Sequence, residues 1–137
     1  MPVLQKVSAV CGAILGMAST LLGGFDVALI LLFLLMVTDY VSGVVVALKN
    51  KSRKTCSGGL SSSVGFKGIV KKCIILLFVM IAVLADKAIG VSFIRNYVVL
   101  SYCCNELLSI CENIGLTGVK LPDGLEKALD LLNRKDD

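Results

Sequence analysis

The feature that most constrains this chain is the length of its uncharged apolar runs. Val7 to Phe25 is 19 residues without a charge, and Val27 to Leu48 is 22 residues with one, Asp39. A helix that crosses a bilayer needs roughly 20 mostly apolar residues. A soluble bundle of this size would need polar outer faces on each helix. Here 56% of the residues are apolar, 18% are charged and the mean hydropathy is +0.88, so those faces cannot be supplied. The expected fold class is all-α: transmembrane helical hairpins with three to four spanning helices, plus a short C-terminal amphipathic helix. The bilayer itself is the first partner.

Four apolar segments are expected, at about 7–22, 27–48, 73–90 and 92–111, forming one transmembrane domain over 1–111. Gly23-Gly24 breaks the first two apart. A basic loop, 49–72, separates the second from the third, and a polar tail covers 112–137. The first segment has a signal-peptide flavour, because Lys6 precedes an apolar run that ends in small residues. The next apolar segment follows at once, which favours a retained helix.

The loop sets the orientation. It holds Lys49, Lys51, Arg53, Lys54, Lys67, Lys71 and Lys72 and no acidic residue. Short loops rich in Lys and Arg stay in the cytoplasm. The N-terminus and the tail then also lie inside, and the loop's Gly-Ser stretch reads as a linker beside anionic headgroups. It lacks the strand and spacing of a phosphate-binding loop.

The segments differ in how firmly they span. Val27–Leu48 contains 14 Leu, Ile, Phe or Val residues. On an insertion scale these give roughly −4 to −8 kcal/mol, against about +3 for a central Asp. The fourth segment has few such residues and also carries Asn105 and Glu106. It spans only if packed against partners, or it lies at the interface.

Several side chains stand out. Ser8, Gly12, Gly16 and Thr20 recur every fourth residue on the first helix, a small-residue face that allows close helix packing in lipid. Asp39 lies at membrane depth with Ser42 and Gly43 on the same face. An intramembrane carboxylate must face protein or water. It is either a polar helix contact or pore lining, or else a proton or cation site of a small four-helix exporter. At 100° per residue, Arg95, Tyr102, Glu106, Ser109 and Asn113 form one polar stripe. That stripe suits the lining of an oligomeric lesion, or an interfacial helix with its polar side in water. In the tail, Leu125, Ala128, Leu129 and Leu132 follow Pro122 at helical spacing and predict a short surface helix.

Catalytic chemistry has little to work with. There is no histidine, and none of the six cysteines forms a Cys-x-x-Cys pair. The cysteines read as small hydrophobes. No catalytic residue, metal ligand or cofactor is expected, and no nucleic-acid partner.

Leu22-Gly23-Gly24-Phe25-Asp26, then Asp39-Tyr40-Val41-Ser42-Gly43, resembles the toxin-secretion and phage-lysis holin family. So does Ser61-Ser62-Ser63-Val64-Gly65-Phe66-Lys67-Gly68-Ile69-Val70-Lys71-Lys72. Asn105-Glu106-Leu107-Leu108-Ser109-Ile110-Cys111-Glu112-Asn113 and the helix after Leu121-Pro122 are similar to the family's C-terminal pattern. The likeness runs over roughly residues 22 to 133. It implies a non-enzymatic protein of the bacterial cytoplasmic membrane, usually drawn with about three spanning helices. It implies homo-oligomers that open lesions at a set time. Endolysin or toxin then leaves as cargo without stable binding. An antiholin, which restrains lysis, would share the pattern.

Overall fold

A computed structural model describes residues 2–134, apart from the side chains of Leu132 and Asn133. Five helices follow one another: α1 (Pro2–Leu21), α2 (Val27–Leu48), α3 (Ser62–Ile89), α4 (Ile94–Leu116) and α5 (Asp123–Asn133). Among the described residues there is no strand. Helices α1, α2 and α3 are long and apolar enough to cross a membrane, and α4 falls short on apolarity. Its 23 residues nevertheless give a rod of about 34 Å, at 1.5 Å per residue, longer than a hydrocarbon core of about 30 Å.

The body is α2, α3 and α4, with α4 in the middle. Asp26, at the start of α2, meets Arg95 at the start of α4, and Asp39 and Ser42 farther along α2 meet Asn113 farther along α4, so these helices run parallel. Helix α3 returns antiparallel to both: Asp86 near its end meets the start of α4, and Lys72 near its beginning meets Asp39 and Glu106. The core joins Leu22, Leu29, Leu32 and Met36 to Ile75 and Val79 of α3 and to Val99 and Cys103 of α4. Large apolar side chains such as Ile30, Leu34, Val37, Leu77, Phe78, Ile81 and Leu100 point outward. In lipid these faces cost nothing, and association is left to close packing and polar contacts. That is why the least apolar helix sits centrally: its polar groups find partners only there.

Two boundaries differ from the sequence expectation. Helix α3 begins at Ser62, not at 73: the two glycines and the Val, Ile and Phe residues of Val64–Lys72 are weak helix formers, and close packing against α2 overrides that propensity. An added Cβ at Gly65 or Gly68 would touch Tyr40 of α2, at 3.3 and 3.8 Å. The basic loop shrinks to 49–61, and Lys67, Lys71 and Lys72 ride on α3. Helix α4 extends to Leu116, past 111.

Helix α1 stands apart, since none of its residues is buried. Helix α5 packs Leu129 inward beside the end of α4, while Leu121 lies against Gly115. Leu132, the last member of the tail's apolar stripe, has its side chain outside the described residues.

Candidate functional site: a polar seam inside the helix body

The seam has two centres, one at each end of the α2–α4 contact. The first forms where Gly23 and Gly24 reverse the chain with positive φ, 80° and 97°. A Cβ on Gly23 would come within 3.1 Å of Val83 and 3.2 Å of the Arg95 side chain, so glycine fits on both counts. Arg95 lies in the space this creates. Its Nε donates to Leu22 O at 3.0 Å and its Nη2 to Gly24 O at 3.1 Å. The guanidinium grips both Asp26 oxygens, with Nη2 to Oδ1 at 3.0 Å. Asp26 also caps α2, accepting from Leu29 N at 3.0 Å. Asp86 of α3 accepts from Ile94 N and Arg95 N, both at 3.0 Å, and so caps α4 from a neighbouring helix.

The Arg95 guanidinium holds the Asp26 carboxyl below its ordinary range; partial desolvation opposes this, and the Leu29 N–H adds to the lowering. A depressed folded-state pKa contributes stability above the unfolded value, and that contribution disappears as pH falls through the folded one. The wild-type Tm should therefore drop on acidification below about pH 4. Asp26→Asn, which keeps a cap, should show a flatter Tm against pH; equal slopes for the two proteins would contradict the assignment. Asp26 is half exposed, so the effect is modest.

The second centre lies deeper. Lys72 Nζ donates to Asp39 Oδ2 at 2.7 Å and also to Glu106 Oε2. Asn113 Nδ2 donates to Asp39 Oδ1 and Asp39 O, both at 3.3 Å, and to Ser42 Oγ at 2.9 Å. Gly43 borders that amide, and a Cβ there would stand in ordinary contact at 3.7 Å from Asn113 Nδ2. Asp39, Ser42 and Glu106 are thus tied by one ammonium and one amide, and the five residues come from three helices.

The polar stripe read from the sequence exists, but in the single chain it faces protein. Arg95, Glu106 and Asn113 are buried, and Tyr102 and Ser109 are partly buried, Tyr102 against Phe78. In the single chain these residues meet other helices. Asp39, Ser42 and Gly43 join it from α2. Lys72, expected only to set topology, is its central cation. Lys49, Lys51, Arg53, Lys54, Lys67 and Lys71 remain exposed. Ser8, Gly12, Gly16 and Thr20 stay off the seam. Nothing lies within 4 Å of a Cβ added at Gly12 or Gly16, and the Ser8 and Thr20 hydroxyls bond their own helix. Asp26 and Asp86 were absent from the expected set. Asp26 had a visible signal, an N-cap residue just before an apolar run. Asp86 caps a different helix across a turn, and local sequence carries no mark of that.

The comparisons with known proteins agree with one another. Residues 16–134 match the model of the Bacteriophage holin family. A protein described as a probable holin of Bacillus phage phi105 is 31% identical, over 78% of this chain and 75% of its own length. An uncharacterized 14.9 kDa protein encoded in the nagH 3′ region of Clostridium perfringens is 36% identical over 82% of each chain. An uncharacterized protein of Listeria monocytogenes is 37% identical over 90% of this chain and 82% of its own. No solved structure matches.

Proposed function

Because the chain belongs to the bacteriophage holin family, a family of multi-pass cytoplasmic membrane proteins, we propose that it oligomerises in that membrane and opens lesions through which a cell-wall hydrolase or a toxin leaves. The observation that carries this reading is the pairing of a packed three-helix body with an apolar first helix that has no buried residue. A helix with an open small-residue face and no packed partner among the described residues is suited to pack against other copies. The cargo passes without stable binding. The basic loop and the tail lie on the cytoplasmic side, as the Lys and Arg distribution requires.

The exporter reading rested on Asp39 as a carrier site. That carboxylate is engaged by Lys72 and Asn113, which favours a helix contact instead.

Induced expression of the chain alone in a bacterium should stop growth abruptly and collapse the membrane potential. Co-expression with an endolysin should lyse the culture. Accumulation in the membrane with the potential intact would sink the proposal, and suppression of another holin's lysis would reassign the chain as an antiholin. Replacing both Gly12 and Gly16 with leucine should reduce cross-linked oligomers and shift lysis onset by several-fold in time. The Tm should stay unchanged, because the body does not touch that face. An unchanged oligomer ladder would remove α1 from the assembly surface.

A further inference from the structure

The deeper centre has a charge imbalance. One ammonium, Lys72, stands between two carboxyl groups, Asp39 and Glu106. Glu106 has no exposed surface at all, and Asp39 is only 9% exposed. One oxygen of Glu106, Oε1, is buried with no hydrogen-bond partner. An ionised carboxylate is an acceptor with about four lone-pair sites. Leaving one of its oxygens bare in a low-dielectric interior is costly, and two carboxylates sharing a site resist ionising together.

Among the described residues, no cation besides Lys72 pairs with either acid. From α2 the cluster sees Asp39, Ser42 and Gly43. From α3 it sees Lys72. From α4 it sees Asn113 and Ser109, which are neutral, and Cys103, whose thiolate would only add negative charge. Lys54 on the loop adds its field from the exposed end. Arg95 is 11 residues back along α4, about 16 Å away, and is already paired with Asp26. With both acids ionised, the three groups would carry a net negative charge between three packed helices.

We propose that Asp39, Lys72 and Glu106 form a proton-binding site that holds one exchangeable proton, resident on Glu106. The ligand is a proton and not a metal ion, because among the described residues no third acidic or thiol side chain joins the two carboxyls to coordinate one. The bound proton makes the set neutral. It lets α4 stay at membrane depth although it is the least apolar of the four long helices. The site stands on the geometry of the single chain and is independent of the lesion-forming reading.

Infrared spectra of the full chain in phospholipid vesicles at neutral pH test it directly, through the deuterium-sensitive absorption of a protonated carboxyl. Charge balance fixes the number of bound protons as carboxyls minus ammonium. The wild type should show one. Glu106→Gln should show none, because Asp39 then balances Lys72. Asp39→Asn should also show none, because Glu106 then ionises against Lys72. Lys72→Met should show two. A purely structural polar contact would not make an Asp39 substitution abolish a Glu106 signal. Absence of the band in the wild type would overturn the proposal, as would a band that survives in both amide variants. A band replaced by sodium-dependent stabilisation would overturn it in favour of a metal ion. Should Lys72→Met fail to fold, the two amide variants, which keep side-chain size, decide the matter alone.

Discussion

Replacing Lys72 with methionine will destabilise the helix body by about 3–5 kcal/mol, the range for removing one partner of a buried ion pair. The Lys72 side chain is only 15% exposed, and its partners Asp39 and Glu106 are 11% and 0% exposed, so water screens none of them well. Without the ammonium, two acids face each other across the α2–α4 contact. Asn113 still serves Asp39, but each acid can then stay buried only by taking up a proton. The loss should appear as a shift of the unfolding midpoint in mixed detergent titrations. Adding Asp39→Asn and Glu106→Gln to Lys72→Met should recover most of it, since no carboxyl then has to be protonated to stay buried. A single variant as stable as wild type would mean that the three groups do not form the compact cluster described above. Failure of the triple variant to recover would point instead to lost packing of the lysine stem.

The second large effect belongs to Arg95. Arg95→Met should cost about 3 kcal/mol, as several charge-assisted hydrogen bonds are lost together and do not add in full. The carbonyls of Leu22 and Gly24 lose their donors, and Asp26 loses its counterion. Asp26 is half exposed and can be rehydrated, which limits the damage at that one group. The distinguishing readout is local. The Gly23-Gly24 turn should become accessible to proteolysis or to a thiol probe at Phe25→Cys. The centre at Lys72 should remain intact, because about 16 Å of helix separates them. Arg95→Lys should rescue only part, because an ammonium cannot reproduce the forked grip on Asp26 together with two carbonyl contacts. Full rescue by lysine would reduce the role of Arg95 to simple charge.

Much of this arrangement was legible before the fold. The apolar runs marked α1, α2 and the greater part of α3, and Gly23-Gly24 marked the first turn. The 100° periodicity of α4 correctly grouped Arg95, Glu106 and Asn113 on one face. What the periodicity could not reveal is what that face meets. A polar stripe on an apolar helix looks the same whether it faces water or two other helices. The partners settle the question, and for Arg95, Glu106 and Asn113 they come from 34 to 74 residues away in sequence. Lys72 was the hardest to read. A lysine among six other basic residues looks like part of a topology signal, and only the extension of α3 back to Ser62 turns it inward. The lysines at 67, 71 and 72 look like the end of a membrane helix, which puts the expected start of the third helix too late. The helix in fact continues past the apolar zone with its lysines on the outside, Lys72 excepted.

The inward use of α4 has a consequence for how such a chain could change state. Its main polar face is already committed, residue by residue, to Asp26, Asp39, Ser42 and Lys72. Were the same face to border water in an assembly, each of those contacts would have to be surrendered first. The two arrangements are mutually exclusive and share no halfway form that keeps every polar group satisfied. A population of such chains would hold one arrangement for a long time and then leave it all at once. A latch of this kind gives abruptness without any separate timing part.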